Sequence, residues 1–233
     1  MATAKELQTE VAATLATKWQ RRDGTVVPDA PNIKLGNDAV DLDGTVLYAD
    51  LADSTGLVNN YKDWFAAEVY KAYLIVACRI IRDNGGEITA FDGDRVMAVF
   101  LGDTKNTNAA RTGLRINWAV MHVINPALKA AYPNSTFQLK QRVGIDSSKL
   151  MVARTGIRGS NDLVWVGRAA NYAAKLAALS DTTYPTVITD TVFARLSEEA
   201  KLGGSNKQPM WEKTLWAETG LAIYRSNWTW SVV

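Results

Sequence analysis

Two stretches decide the predicted fold, Val46-Leu-Tyr-Ala-Asp-Leu-Ala-Asp-Ser-Thr55 and Ile88-Thr-Ala-Phe-Asp-Gly-Asp-Arg-Val-Met-Ala-Val-Phe100. Each contains an apolar run with the length of a buried strand, and each ends or turns at an acidic residue, Asp50 or Asp94. Asp-Gly between two apolar runs is a typical β-hairpin signal. We therefore expect strands of one sheet, with both carboxylates at its edge.

This pair of acids indicates a class of chemistry. Asp50 and Asp94 are hard oxygen ligands without a neighbouring histidine, which suits divalent cations such as Mg²⁺ or Mn²⁺. Two such cations are a common device for displacement at phosphorus. The residues therefore predict two metal ions and an enzyme that acts on a nucleoside triphosphate.

Composition limits the remaining classes. The chain has 233 residues, 47% of them hydrophobic and 21% charged, which is ordinary for one large globular domain. Its formal net charge of +2 predicts no nucleic-acid partner. A single cysteine fits a reducing compartment, and no apolar run is long enough for a membrane span. We therefore expect a cytoplasmic protein.

Outward from the two stretches, hydrophobic periodicity and turn residues predict the other elements. An amphipathic helix at 4–20 carries Leu7, Val11, Leu15 and Trp19, and a loop follows at 21–43. The remaining predicted elements are strand 44–51, helix 62–83, strands 87–91 and 95–101, helix 106–131, strands 137–146, 149–154 and 163–166, helix 168–179, strand 185–189, helix 190–200 and a hairpin within 209–226.

This order predicts an α+β fold built on a ferredoxin-like βαββαβ unit with a mainly antiparallel sheet. We expect an N-terminal helix and connecting loop at 1–43, a catalytic domain at 44–205, and a C-terminal hairpin and tail at 206–233. The tryptophans near the C-terminus are expected to pack on the core or an edge strand rather than to form a contact surface; they are Trp211, Trp216, Trp228 and Trp230.

Several motifs in this order resemble the class III nucleotide cyclases. Tyr48-Ala-Asp-Leu-Ala-Asp-Ser-Thr55 matches the first signature of that family, and Gly93-Asp94 with its apolar strand matches the second. Gly167-Arg-Ala-Ala-Asn-Tyr-Ala-Ala-Lys-Leu176 matches the strand-to-helix signature, and Arg142-Val-Gly-Ile-Asp146 is a further match. The resemblance covers about residues 44–200 and implies a class III cyclase catalytic domain.

The resemblance also implies roles for individual residues. Asp50 and Asp94 would hold both metal ions, with help from the Leu51 backbone carbonyl, while the ribose 3′-hydroxyl attacks the α-phosphate and expels pyrophosphate. Asn171 would orient the ribose. Lys175 stands where the family usually has a phosphate-stabilising arginine; it keeps the charge without the bidentate fork, and Arg168 is an alternative source of that charge.

The base-reading positions depart from the purine cyclases of the family. The resemblance puts Ala90 and Val164 where those enzymes carry polar side chains that read the purine edge, so another base is expected. Tyr48, Phe91 and Arg95 are the nearby candidates for reading it. Arg95 also replaces the glycine that is usual after Gly-Asp.

Together these departures resemble the stand-alone pyrimidine cyclases of bacterial Pycsar antiphage systems. This resemblance implies synthesis of cyclic UMP from UTP, a preference for Mn²⁺ over Mg²⁺, a homodimer with shared active sites, and a separate effector that reads the product. CTP or a purine triphosphate as substrate is an open alternative, and so is an inactive cyclase-like module that only dimerises or binds nucleotide.

One rival motif comes from a different class. Asp41-Leu-Asp-Gly-Thr-Val46 matches the signature of haloacid-dehalogenase phosphatases, in which the first aspartate is a nucleophile at the end of a buried strand. Gly36-Asn-Asp-Ala-Val40 does not read as a strand. A phosphatase is therefore disfavoured.

Overall fold

The computed structural model describes residues 2–232, and eight α-helices and eleven strands are found in that range. The helices are α1 (Ala4–Ala16), α2 (Ser54–Asn60), α3 (Asp63–Asp83), α4 (Lys105–Ala119), α5 (Asn125–Ala131), α6 (Arg168–Ala177), α7 (Asp190–Phe193) and α8 (Glu198–Lys201). The strands are β1 (Gln20–Asp23), β2 (Asp38–Leu51), β3 (Glu87–Asp92), β4 (Arg95–Phe100), β5 (Gln141–Ile157), β6 (Ser160–Val166), β7 (Thr186–Thr189), β8 (Leu202–Gly203), β9 (Gln208–Pro209), β10 (Glu212–Leu215) and β11 (Ala222–Ser226).

Nine strands form one sheet in the order β10-β11-β7-β5-β2-β4-β3, with β1 added beside β2 and β6 beside β5. The named strands pair antiparallel except for β1 with β2 and β5 with β7. Within it, β2-α3-β3-β4-α4-β5 is the predicted ferredoxin-like βαββαβ unit, with strand order β5-β2-β4-β3. The α+β class with a mainly antiparallel sheet is confirmed.

The sheet separates two hydrophobic layers. Alternate residues of β2, including Leu47, Ala49 and Leu51, pack against α3 and α4, and we call this side of the sheet the α4 face. The residues between them, including Val46 and the partly buried Tyr48, lie on the side covered by α6, which we call the α6 face. This alternation is the period of two expected of a strand buried on both sides.

Two glycines have clear structural reasons. Gly93 has φ of 63° in the β3–β4 turn, a conformation that glycine adopts without the cost that a Cβ adds. Gly144 on β5 lies directly under α6, where an added Cβ would come within 2.2 Å of the Ala173 carbonyl oxygen. Glycine at this position therefore lets α6 pack closely on the sheet.

The N-terminal region differs from the sequence prediction. β2 begins at Asp38 rather than at 44, because its whole length pairs with β5 from Ala39 to Leu51. The predicted loop also contains β1, which pairs with β2, and a short 3₁₀ helix at Ala30–Asn32. Helix α1 ends at Ala16 instead of 20, and its apolar residues are exposed.

Three further predictions need correction. The expected strands 137–146 and 149–154 are one long strand, β5, because β2 pairs with it without interruption from Gln141 to Ala153 and β6 pairs with it from Met151 to Ile157. The expected helix 106–131 contains a π-helical stretch at Val120–Ile124, just before Pro126, which cannot donate a backbone hydrogen bond. Helix 190–200 is divided, with the Ser197 amide between the two parts bound to Thr107 Oγ1.

The C-terminal hairpin forms as expected from β10 and β11, which pair antiparallel and continue the sheet beside β7. Trp211 and Trp216 are buried, while Trp228 and Trp230 are partly buried against the core, which confirms the packing interpretation of these tryptophans. In the described range, we find no helix with the length and apolar character needed to cross a membrane.

Candidate active site

Asp50 lies at the end of β2, and Asp94 lies in the turn between β3 and β4. Because β2 pairs with β4 in register, with Asp50 opposite Arg95, the two acids meet at one edge of the sheet. Their proximity is visible in their electrostatics: the pKa of Asp50 is raised to about 6, first by burial and then by the Asp94 charge. The sheet register therefore brings together the two acids that the sequence singled out.

This pair has the character of a cation site. The Asp94 Oδ2 atom is buried and has no hydrogen-bond partner among the described residues, and a buried carboxylate oxygen left in that state is costly. Residues 2–232 contain no group of three or more His, Cys, Asp and Glu side chains suited to a metal. Two carboxylates and a backbone carbonyl such as that of Leu51 are nevertheless the hard oxygen donors that Mg²⁺ or Mn²⁺ takes, with further positions filled by substrate phosphates.

A cavity of about 940 Å³ extends from Asp50 along the loop that leads into α2. Asp53 starts this turn with a positive φ of 57°, and its carboxylate accepts a hydrogen bond from the Gly56 amide. The opposite walls come from the segment that precedes β5 and from the C-terminal end of α6. The cavity is large enough for part of a nucleotide.

Three of the predicted substrate residues lie beside the acids on the α6 face. Tyr48 and Ala90 are both opposite Met97, so one row across the sheet is Tyr48, Met97 and Ala90. In the next row, Arg95 lies between Asp50 and Asp92. The Arg95 guanidinium binds the Asp92 carboxylate at 2.5 Å and lies 5.7 Å from the centre of the Tyr48 ring.

The other two predicted base-reading residues lie elsewhere in the chain. The strand register shifts between Ile88 and Ala90, and Phe91 is then opposite Val96, whose side chain packs on the α4 face. Phe91 is 60% exposed on that face, away from Tyr48 and Ala90. Val164 is on β6, opposite Ala153, and is also exposed.

Asn171 and Lys175 share an exposed side of α6, one helical turn apart. Neither lines the cavity next to Asp50, although Ala177 and Ala178 at the end of the same helix do. The Lys175 ammonium group is bound to the Glu218 carboxylate, in the turn between β10 and β11. A single chain therefore presents the acids and the Asn171 side of α6 as separate surfaces.

Arg168, the alternative to Lys175, is already engaged. Its guanidinium makes two bonds to the fully buried Asp146 carboxylate, at 3.0 and 3.2 Å, and a third to the Ser147 carbonyl at 2.8 Å. Thr189 donates a hydrogen bond to the same carboxylate. This network anchors the first turn of α6 to β5, so Arg168 has a structural role within the chain.

Arg142 is a further residue beside Asp50. The motif Arg142–Asp146 was recognised in the sequence, but it indicated no role for Arg142 itself. It is opposite Asp50 in the β2–β5 register, only 3% exposed, and donates a hydrogen bond to the Tyr184 carbonyl. Burial lowers the pKa of its guanidinium, and its Nε and Nη2 atoms have no partner within residues 2–232. It opens onto a separate cavity of about 340 Å³, with Leu179 and Ser180 shared between the two cavities.

No family model matches the chain. The adenylyl cyclase CyaB from P. aeruginosa has the same fold, with a TM-score of 0.68 at 20% identity over 81% of this chain and 95% of that one. The fold is thus that of a class III nucleotide cyclase catalytic domain.

Two relatives are much closer in sequence. A uridylate cyclase of Xanthomonas perforans is 53% identical over 92% of this chain and 92% of its own length. A uridylate cyclase of Burkholderia cepacia is 49% identical over the full length of both chains. The chain therefore belongs to the class III nucleotide cyclases, in the group of proteins named uridylate cyclase, and it is a nucleotide cyclase.

The haloacid-dehalogenase alternative is excluded by this fold. The sequence argument against it was wrong in one respect, because Asp38, Ala39 and Val40 do belong to a strand. Asp41 nevertheless lies in the interior of β2, where Arg21 binds its carboxylate with two hydrogen bonds. Asp41 therefore belongs to a surface ion pair in the middle of a strand, and it does not have the strand-end position of a nucleophile.

Proposed function

We propose that the protein converts UTP to 3′,5′-cyclic UMP and pyrophosphate. One observation carries this proposal. The Asp50–Asp94 pair lies on the same face of the sheet as Tyr48 and Ala90, and Ala90 has no polar group that could read a purine edge. The names of the two relatives support the same substrate. In the reaction, the ribose 3′-oxygen forms a bond to the α-phosphorus, and the bond from that phosphorus to pyrophosphate breaks.

Asp50, Asp94 and the Leu51 carbonyl would hold two divalent cations, with Mn²⁺ favoured over Mg²⁺. When bound, such cations make the 3′-hydroxyl a better nucleophile and neutralise charge on the phosphates. The Oδ2 atom of Asp94, which has no partner among the described residues, and the raised pKa of Asp50 support this assignment, since a cation held by these acids would remove both costs. The protein's own contribution is to hold the two carboxylates together before the substrate arrives.

Arg95 and Tyr48 are the residues proposed to select the base. The ion pair with Asp92 holds the guanidinium against the Tyr48 ring, so that a donor group and an aromatic edge lie beside the small side chain of Ala90. A uracil or cytosine ring offers carbonyl oxygens to the guanidinium, and the arginine takes up space that a two-ring base needs. Phe91 and Val164 face other surfaces, so their contribution would come across a subunit interface.

Asn171 and Lys175 are proposed to act from a second copy of the chain. They are exposed in the protomer, on a helix side that is not directed to the cavity beside Asp50. In a two-fold homodimer, α6 of each protomer would cover the acids of its partner and complete two equivalent sites. There Asn171 orients the ribose, and Lys175 leaves Glu218 and stabilises the charge on the transferring phosphate.

For the cell, we propose a second-messenger role in antiphage defence, in which a separate effector reads the cyclic nucleotide. The support is the resemblance to the pyrimidine cyclases of such systems. CTP is the nearest alternative substrate, because it differs from UTP at one edge of the ring.

The test is to incubate the protein with each of the four ribonucleoside triphosphates and Mn²⁺ and to identify the products by mass spectrometry. We expect cyclic UMP to dominate, and Arg95→Ala to reduce UTP turnover more than Asp92→Ala does, since the latter keeps the guanidinium. Preferential turnover of ATP or GTP contradicts the proposed substrate. No turnover of any triphosphate, by a folded dimer, supports the inactive-module alternative.

A further inference from the structure

The cavity beside Asp50 continues well beyond the two acids. Its walls contain the loop Asp50–Gly56 and a series of neutral polar residues on the opposite side, among them Thr136, Gln138 and Thr182. Lys140 is the one positively charged side chain among the described residues that line it. A single lysine in a polar cavity, next to two acids suited to metal ions, indicates the direction in which the anionic part of a ligand extends.

The backbone register fixes the position of Lys140 relative to the acids. The ladder between β2 and β5 pairs Leu51 with Gln141, and the next bond runs from the Ala52 amide to the Lys140 carbonyl at 3.0 Å. Lys140 is therefore opposite Ala52, two residues beyond Asp50. Side chains two residues apart lie on one face of a strand, so Lys140 shares the face of Asp50.

Lys140 is also free to act. It is exposed, and it belongs to none of the ion pairs found within residues 2–232. Arg142, two residues further along the chain and on β5, is buried, donates a hydrogen bond to the Tyr184 carbonyl and opens onto the neighbouring cavity. Lys175 is bound to Glu218. Of these three cations, Lys140 alone combines exposure, freedom from a protein anion and contact with the Asp50 cavity.

We propose that Lys140 binds the terminal phosphates of the substrate and of the leaving pyrophosphate. This inference rests on the proposed function for the identity of the nucleotide, and its new element is Lys140 as the cation of a polyphosphate subsite beside the Asp50–Gly56 loop. Cα atoms of paired residues are about 5 Å apart, and Asp50 and Ala52 are about 7 Å apart along the strand. The long side chain of lysine spans that distance to phosphates held beside Asp50.

The contact predicts a particular kinetic result. Charge on the β- and γ-phosphates is large in the bound substrate as well as in the transition state, so an ion pair to them strengthens both states. We therefore expect Lys140→Ala to raise the KM for UTP about tenfold, with kcat within about threefold of the wild type. Lys140→Arg keeps the charge and should recover most of the affinity.

The direct test measures binding without turnover. Inorganic tripolyphosphate with Mn²⁺ is titrated into the wild type, Lys140→Ala, Lys140→Arg and Lys149→Ala by calorimetry, at low and at physiological salt. Lys149 lies further along the chain on β5, in a different cavity beside Asp41, and serves as the matched control. We expect about tenfold weaker binding for Lys140→Ala, with a smaller dependence on salt, and unchanged binding for Lys149→Ala.

The outcomes separate this inference from the proposed function. If the wild type binds tripolyphosphate through Lys140 but turns over no UTP, the subsite stands and the proposed reaction is wrong. If UTP is cyclised but Lys140→Ala binds tripolyphosphate and UTP like the wild type, the subsite is wrong and the reaction stands. A fall in kcat at constant KM also overturns the inference, because it indicates a role other than binding the terminal phosphates.

Discussion

Asp50→Asn is expected to stabilise the metal-free protein at alkaline pH while it abolishes turnover. The pKa of Asp50 is raised from 3.8 to about 6, by burial first and by the Asp94 charge second. The folded protein thus holds the Asp50 proton more tightly than the unfolded chain does, and folding stability is lost as the pH rises through about 6. Asparagine has a similar shape and cannot ionise, so the variant avoids that loss.

The size of the effect follows from the pKa. The difference between 3.8 and about 6 corresponds to about 3 kcal/mol if it is realised in full. Asp50 is only partly buried, and solvent screening reduces the expected gain to about 1–2 kcal/mol at pH 8. For a chain of this length, such a gain raises the melting temperature by about 2–8 °C. At pH 4, only just above the ordinary pKa of 3.8, the folded group is still protonated and most of the gain should be absent.

The assay is thermal and urea unfolding of both proteins at pH 4, 6 and 8, with a chelator present. Asp41→Asn is the matched control on the same strand, and the sign there is opposite. Hydrogen bonds from Arg21 lower the pKa of Asp41, so its ionised form stabilises the fold above its unfolded pKa and this contribution is lost in acid. A lower melting temperature for Asp50→Asn at pH 8, or an equal gain at all three pH values, refutes the reasoning.

The remaining predictions concern the site and the helix that covers it. Asp94→Ala should reduce turnover at least about a thousandfold with an unchanged circular dichroism spectrum, because it removes half of the cation site; activity within tenfold of the wild type excludes the assignment. Mixing the inactive variants Asp50→Ala and Asn171→Ala should restore activity, to about a quarter of the wild type for random pairing, since one of the two sites in a mixed dimer is intact; no recovery after verified subunit exchange rules out shared sites. Gly144→Ala should lower the unfolding free energy by about 2–3 kcal/mol, because its Cβ would lie 2.2 Å from the Ala173 carbonyl oxygen and displace α6; an unchanged denaturation midpoint contradicts the close packing.

Much of the central unit could be predicted from the sequence because its signals are local. The Asp92-Gly93-Asp94 turn between apolar runs predicts a hairpin, and α3 follows from a continuous apolar stripe that ends at Asn84-Gly85-Gly86. Since Asp50 lies at the end of one strand and Asp94 directly precedes another, the meeting of the two acids at one edge of the sheet was also predictable. The N-terminal part of β2 could not be predicted, because its sequence contains the glycine and acidic residues typical of a turn. Pairing with β5 and β1 makes it a strand in spite of that local preference.

The sequence by itself thus determined a βαββαβ domain, two acids suited to bind divalent cations, and motifs that resemble the class III cyclases. Only the tertiary structure decided which faces the other candidates occupy. A register shift before Ala90 places Phe91 on the α4 face. Lys175 binds the carboxylate of Glu218, which lies 43 residues away in the sequence. Lys140 was indistinguishable in the sequence from any other exposed lysine. Lys140 lies opposite Ala52, in the loop Asp50–Gly56, because of the strand register between β2 and β5, and that register depends on contacts between segments distant in the sequence.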